Sequence, residues 1–300
     1  MIALTGNSIF GNRILIQLQK KGIKSIFIEP DMGLRNFKKE ISSNKIIHFV
    51  ASPTVSMALT KLIISKILGK KTLVTWIGFD VRHTKYSKIR NLTTRFGKYF
   101  IDFNTATSKN LVNDLKAVGI AAKYQPIPVY SLFQISNLPK EKKIAIYLPD
   151  RNPADWELYQ GKLIKKIIDV FSDVEFLVLG NSGKNFTEKN VKCIPWTENI
   201  GDIYKQVKAV IRLPLEDGTS GTVLETLSMG RTMIASNTLV PFCRNIKNFE
   251  EAKIAVVEVL EKNTLNIEGS KYVHDNFSNL KLTEDLIEIY QSLTNDTIFQ

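Results

Sequence analysis

The sequence predicts an α/β protein of two Rossmann-like, doubly wound domains facing each other across a cleft. Three observations carry this. Short apolar runs alternate with stretches of helical apolar spacing along the whole chain. The alternation pauses once, at Pro126, Pro128 and the stretch to Lys140, and then resumes. Three hundred residues with 44% apolar content are enough for two such domains with buried cores.

In the first half, strands are expected over residues 2–5, 25–28, 46–50, 72–76, 99–105 and 123–127. Helices are expected over 12–21, 56–68 and 108–118. Regular alternation with short turns implies a parallel sheet. The second half repeats the pattern, with strands over 143–148, 175–179, 191–194, 209–213 and 232–235. Its helices are expected over 158–171, 200–207, 222–229 and 250–260. A last amphipathic stretch, 279–293, carries Leu280, Leu282, Leu286, Ile287, Ile289, Tyr290 and Leu293. The expected division is residues 1–135, residues 136–278, and a C-terminal helix over 279–300 that can return to the first domain. Facing carboxyl edges of two such sheets are where a ligand is expected.

The net charge of +12 is unevenly shared. Residues 1–140 hold 22 Lys and Arg against 6 Asp and Glu, a balance of +16, while residues 141–300 carry −4. The first half is therefore expected to face something anionic: a membrane surface, a lipid-linked phosphate or nucleic acid. A Lys-rich composition overall is the plainer alternative. The basic residues are dense in the segment 81–101, which holds Arg82, Lys85, Lys88, Arg90, Arg95 and Lys98 and has no acid between Asp80 and Asp102. Tyr86, Phe96, Tyr99 and Phe100 are interleaved, a pattern that suits an anionic membrane interface. Arg82, Lys85, Lys88 and Arg95 are the residues expected to meet membrane or acceptor. The helix over 56–68 has similar composition, but a helix covering a sheet needs the same apolar face. No apolar run approaches the ~20 residues that span a bilayer. The first residues read as a strand and not as a signal peptide. The two cysteines, Cys193 and Cys243, suggest neither a disulfide framework nor a zinc site, so reducing cytosol is the expected compartment.

The most informative run is 209–236, AVIRLPLEDGTSGTVLETLSMGRTMIAS. It reads as strand, acidic Gly-rich loop, helix and second strand. Such a loop directs backbone N–H groups and a positive helix end towards an anion, and a pyrophosphate is the natural candidate. Glu225, about one turn into the helix, can accept hydrogen bonds from the vicinal hydroxyls of a ribose. Asp217 stands eight positions earlier, on the loop. An ordinary strand–turn–helix with a surface Asp and Glu would have the same outline.

This run resembles the donor-binding signature of the retaining GT-B glycosyltransferases of family four, in which two Glu residues are separated by seven positions. Asp217-Gly218-Thr219-Ser220-Gly221 leads to Glu225, then to Gly230 and Met233-Ile234-Ala235. Two departures stand out: Asp217 replaces the first Glu, and Arg231-Thr232 stands where a Pro-containing pair is usual. Weaker markers also resemble the family. Thr107-Ser108-Lys109 followed by Pro126-Ile127-Pro128-Val129 is similar to its closing stretch of the first domain. Trp76-Ile77-Gly78-Phe79-Asp80-Val81 is similar to its His-Gly-x-Asp segment, with Ile77 in place of the His. The resemblance implies a GT-B fold and a UDP-sugar donor that is a substrate and not a cofactor. It implies no metal, and no Asp-x-Asp is present.

On this reading Gly218, Thr219, Ser220, Gly221 and Thr222 hold the pyrophosphate together with Arg151, and Glu225 binds the ribose. Asp217 fixes the sugar and Asp80 orients an acceptor hydroxyl or acts as a base, though an Asp there could equally cap a helix. Gly6 and Asn7, in the first strand–helix turn, would face the donor phosphates, or form a tight turn and nothing more. Gly180 would border the nucleotide, and Trp196 would lie near the base or belong to the core. His48, His83 and His274 are scattered and expected to be structural. The function this implies is transfer of a sugar, with retention, to a lipid-linked or surface-glycan acceptor in cell-envelope polysaccharide synthesis, peripherally at the inner membrane face. A DNA-modifying enzyme of the same fold and a non-catalytic partner subunit remain alternatives.

Overall fold

The computed structural model describes residues 1–54, 56–78, 80–81, 84, 87–129 and 132–294. The chain forms two compact units, one of residues 1–130 with 277–300 and the other of residues 131–276.

The first unit holds a sheet of β1 (Ile2–Gly6), β2 (Ser25–Ile28), β3 (Ile46–Val50), β4 (Lys71–Trp76), β5 (Phe103–Ala106) and β6 (Lys123–Tyr124). Every pairing is parallel, in the order β2-β1-β3-β4-β5-β6. Helices cover both faces, so the middle strands are buried throughout, as in Ile46–Val50. On one face Phe37, Ile41, Leu62 and Leu115 pack over Ala3, Ile47, Val74 and Trp76. On the other, Ile14 and Leu18 join Leu286, Ile289 and Tyr290 of the final helix, Asn279–Thr294, over Ile2, Leu4, Ile46 and Leu73. The final helix is keyed to the sheet by a buried polar chain. His48 Nδ1 lies 2.7 Å from the Tyr290 hydroxyl, and His48 Nε2 lies 2.7 Å from Thr75 Oγ1.

The second unit holds β7 (Lys143–Tyr147), β8 (Glu175–Leu179), β9 (Val191–Ile194), β10 (Ala209–Arg212), β11 (Thr232–Ala235) and β12 (Arg244–Asn245). They are parallel in the order β12-β11-β10-β7-β8-β9. The strand order reverses between β7 and β10, which makes their carboxyl ends the switch point of this sheet. Ile144, Ile146, Ile211 and Ile234 form its core with Ile164, Ile168, Ala252 and Val256 of the covering helices.

The stretch read as linker is anchored in the second unit by a fully buried guanidinium. Arg231 donates from Nη1 to Ser136 O at 2.7 Å and from Nη2 to Asn137 O at 2.9 Å, while its Nε donates to Tyr204 O at 2.9 Å. Phe133 N–H donates to Ser228 Oγ at 2.9 Å, and its ring fills the space that a Cβ at Gly201 would need.

Several elements differ from the sequence reading. The helix expected over 158–171 is broken into Asp155–Leu158 and Gly161–Val170. Gln160 between them takes φ +54 and sends its Nε2 to Leu213 O at 2.9 Å. The strand expected over 99–105 is a 3-10 turn, Lys98–Phe100, followed by β5. Asp102 sets that boundary by accepting from Thr72 N–H at 2.7 Å and from Lys66 Nζ at 2.7 Å. Helices Leu34–Ile41, Lys88–Gly97 and Ile267–Phe277 were not foreseen.

Burial lowers the His48 pKa from its ordinary value to about 3. The unfolded chain therefore takes up a proton near pH 6.5 that the folded chain refuses until about pH 3. Stability should fall through that window as pH drops, by up to about 1.4 kcal/mol per pH unit from this residue. Urea denaturation of wild type and His48→Gln at neutral and mildly acidic pH checks this. The variant should be the less stable protein at neutral pH but show the shallower loss on acidification.

Candidate functional site

The carboxyl ends of β7 and β10 carry a buried polar construction. Arg212 is the last residue of β10, and its side chain is 10% exposed. Its Nη2 donates to Asp217 Oδ1 at 3.1 Å, and its Nε donates to Ser220 Oγ at 2.9 Å. Its Cζ lies 5.2 Å from the ring centroids of both Tyr147, at the end of β7, and Tyr159. Nη1 is buried with no hydrogen-bond acceptor among the described residues, so the two aromatic faces carry part of the charge's stabilisation. Arg212 thus ties the middle and the far end of the loop 213–220 back onto the strand it leaves.

The loop's backbone follows from this anchor. Gly218 N–H donates to Asp217 Oδ1 at 2.9 Å, turning the chain at the acid. Ser220 is extended, at φ −76° and ψ 137°, and starts the helix Gly221–Ser228. No side chain caps the first turn, and the Ser220 hydroxyl accepts from Arg212. The first N–H groups of such a helix are orphan donors with a positive partial charge, which suits an anion. Val223, Leu224 and Leu227 bury the opposite face. Glu225, half-buried in the second turn, acts electrostatically on the Tyr204 hydroxyl, whose pKa burial raises well above its ordinary value.

The neighbouring loops meet at the same edge. Arg151 follows β7 with an exposed side chain, its Nε 3.6 Å from Asp155 Oδ2. Asp150 accepts from Ser182 N–H at 2.8 Å and from the Ser182 hydroxyl, which holds its carboxyl below the usual range. Asp150 N–H donates to Gly180 O at 3.1 Å, which locks the loops after β7 and β8 together. Gly180 itself sits at φ +73, where glycine is favoured. Trp196 follows β9, at the outer edge of the sheet, with its side chain exposed and outside the core.

Asp217 does not stand where the sequence suggested. Its side chain is only 4% exposed and is turned into Arg212. Burial raises its pKa, opposed by Arg212 and by the Gly218 N–H. A carboxylate so placed braces the loop, whereas the sequence reading turns it outward. Sequence reasoning missed Arg212, although a charged residue inside the apolar run Ala209–Arg212, five positions before an acid, signals a buried pair.

The first unit's candidates have structural work of their own. A Cβ at Gly6 would lie 2.1 Å from Val50 O, so the glycine permits β1 and β3 to pass closely at φ +109. Asn7 caps its helix, accepting from Phe10 N–H at 3.1 Å. Asp80 is buried, and its oxygens accept from the N–H groups of Ser52 at 2.8 Å, Ile77 at 3.1 Å, Gly78 at 2.9 Å and Val81 at 2.9 Å. Burial pushes its pKa up against these four donors. Asp80 therefore holds two loops together by accepting backbone N–H groups, which is nearer to the capping alternative than to the acceptor-orienting or base role read from the sequence. Arg82, Lys85 and His83 lie outside the described residues, whereas Lys88 and Arg95 stand exposed on the helix Lys88–Gly97.

No protein-family model and no curated protein matches this chain. Solved structures do. The chain is similar to Alr3699/HepE of Anabaena, solved with UDP and glucose, at 10% identity and a TM-score of 0.75, over 98% of this chain and 100% of that one. The same Anabaena protein was also solved with UDP-glucose. Sucrose-phosphate synthase of Thermosynechococcus elongatus matches at 13% identity and a TM-score of 0.74, over 97% and 98% of the two chains. A glycosyltransferase of Rickettsia africae matches at 14% identity and a TM-score of 0.71, over 99% of each. With its two parallel six-stranded sheets, the chain has the GT-B fold. At such identities the likeness is one of fold. Among the described residues no group of three His, Cys, Asp or Glu is placed to hold a metal ion.

Arg212→Met should cost about 3–5 kcal/mol, because it strands the Asp217 carboxylate in a buried setting. Asp217→Leu added to Arg212→Met should recover most of that loss. Urea denaturation of wild type and the three variants (two single, one double) measures both, and additive losses would show that the pair does not act as a unit.

Proposed function

We propose that the chain is a glycosyltransferase that takes a UDP-sugar at the β7/β10 switch point of its second unit. The observation that carries this is the Arg212-braced loop 213–220, which leads into an uncapped helix start, with Arg151 on the loop after the neighbouring strand β7. Donors and dipoles fixed before the substrate arrives need no reorganisation as charge develops. The backbone N–H groups of residues 218–222 and the Arg151 guanidinium would hold the diphosphate and stabilise the charge it gains as the glycosidic bond breaks. Glu225 would accept from the ribose hydroxyls. The UDP and UDP-glucose bound in the Anabaena structures support a uridine donor.

The finer reading is a retaining, metal-independent enzyme of family four with a lipid-linked or glycan acceptor. The strand–loop–helix spacing from Asp217 to Glu225 supports the family, with the first acid turned inward. Arg151 and the helix start supply the positive charge that a metal ion would otherwise provide. The inward Asp217 also favours a second reading, a subunit of this fold that binds donor but does not turn it over, since the sugar loses the carboxylate expected to hold it.

Calorimetry with a panel of nucleotide-sugars tests the proposal. A uridine donor should bind, and Glu225→Ala should weaken it by about 1–3 kcal/mol if a charged hydrogen bond is lost. Unchanged affinity in a folded Glu225→Ala protein would remove Glu225 from the site. Transfer should survive EDTA, and activity abolished by chelation and restored by Mg²⁺ or Mn²⁺ would overturn metal independence. Donor binding without transfer or hydrolysis would favour the subunit reading.

A further inference from the structure

The helix Lys88–Gly97 is built inside out. A surface helix normally turns its large apolar residues towards the body and its small polar ones to water. Here the buried positions are Thr94 and Gly97. Thr94 Oγ1 lies 2.8 Å from Thr54 Oγ1 and 3.4 Å from Thr84 Oγ1, a hydroxyl cluster that joins the helix to the loop after β3. Gly97 lets the helix approach so closely that a Cβ there would lie 3.0 Å from Thr54 Cγ2 and 3.4 Å from Leu59 Cδ1. Through such small contacts the helix sits tight against the unit without using its large apolar side chains.

Those side chains face out. Ile89 is 76% exposed, Leu92 71%, Phe96 52% and Tyr99 77%. Their spacing of three, four and three residues puts them on one helical face. The helix proper is about 15 Å long at 1.5 Å per residue, and the 3-10 turn Lys98–Phe100 extends the stripe to Tyr99. Single exposed apolar residues are ordinary, but four in register on one element mark a contact surface.

The charges around the stripe say what it contacts. Lys88 and Arg95 are exposed on the same helix, and Lys98 Nζ lies 5.5 Å from the centroid of the Tyr99 ring. No acidic residue occurs between Asp80 and Asp102. Both boundary acids are engaged, Asp80 by backbone N–H groups and Asp102 by Lys66 Nζ at 2.7 Å. An apolar stripe with an aromatic end and a basic border matches a surface that is apolar below and anionic above. Among the described residues no helix is long and apolar enough to cross a membrane.

We propose that the helix Lys88–Gly97 lies in the plane of an anionic bilayer surface, with Ile89, Leu92, Phe96 and Tyr99 among the acyl chains and Lys88, Arg95 and Lys98 at the headgroups. Apolar burial and attraction to anionic lipid act together in such a helix, so neither alone suffices. This surface does not depend on the donor site, which lies on the other unit.

The experiment is co-sedimentation of the full chain with phosphatidylglycerol–phosphatidylcholine vesicles and with pure phosphatidylcholine vesicles. Binding to the anionic vesicles should exceed binding to the neutral ones and fall with added salt. Ile89→Ser/Leu92→Ser/Phe96→Ser and, separately, Lys88→Glu/Arg95→Glu should each weaken it by more than about tenfold. All substituted positions are exposed, so both variants should keep the wild-type melting temperature. Equal binding to the two vesicle types, or retention of anionic-vesicle binding by the serine variant, would overturn the proposal. So would a wild-type dimer that the serine variant converts to monomer, which would make a second copy the occupant. Stronger, salt-sensitive binding to duplex DNA, lost in the glutamate variant alone, would also overturn it. UDP titration of both variants separates this result from the transferase reading, because a failure to bind UDP would count against the donor site and leave the vesicle result untouched.

Discussion

A guanidinium at the end of β10 governs the second unit. A parallel sheet directs every strand's carboxyl end to one edge, and the chain must leave that edge through a loop with no strand to pair it. In most such loops side chains and water satisfy the backbone. Here Arg212 does so indirectly, by gripping Asp217 and Ser220 and leaning on Tyr147 and Tyr159. Burying that charge requires partners on every side, and the partners are what shape the loop. Asp217 turns the chain at Gly218, and Ser220 gives up its capping role. The helix start therefore stays open because Arg212 is buried, and the two features are one construction.

Arg231 shows the contrasting use of the same side chain. It is buried more deeply than Arg212, yet its hydrogen bonds go mainly to backbone carbonyls of Tyr204, Ser136 and Asn137. A planar fork of five donors in fixed geometry can close several carbonyl ends at once. Arg231 stands just before β11 and stiffens the entry to that strand by cross-linking. Arg212 and Arg231 lie at the two ends of one strand–loop–helix segment, one bracing the loop and the other fixing the chain that enters the unit.

Much of the fold was legible in the sequence, and the reason is periodicity. Strands of a covered parallel sheet are apolar on both faces, so runs such as Ile46–Val50 and Glu175–Leu179 stand out with correct bounds. The helix Lys88–Gly97 was not legible, because its buried face is made of Thr94 and Gly97 and carries no apolar pattern towards the body. The broken helix after β7 was missed for a similar reason. Gln160 looks like any surface residue, and only its reach to Leu213 O explains the left-handed backbone. At the site, spacing identified the loop and the helix, but not the direction of the acid. A carboxylate five residues after a strand Arg can pair inward or point outward, and only the packing of Tyr147 and Tyr159 around that Arg decides which.

Asp in place of Glu at position 217 has a physical reading on these terms. A carboxylate that must meet the strand-end guanidinium and also take the Gly218 N–H needs a short reach, because both partners lie close to its own backbone. Glutamate would carry its charge one carbon further, past the 3.1 Å contact with Arg212. The short acid is therefore matched to Arg212. Asp217 is thereby committed to the loop's own structure, with its side chain 4% exposed. Gly218, Thr219 and Ser220, half-buried beside the Arg212–Asp217 pair, stay partly open to solvent.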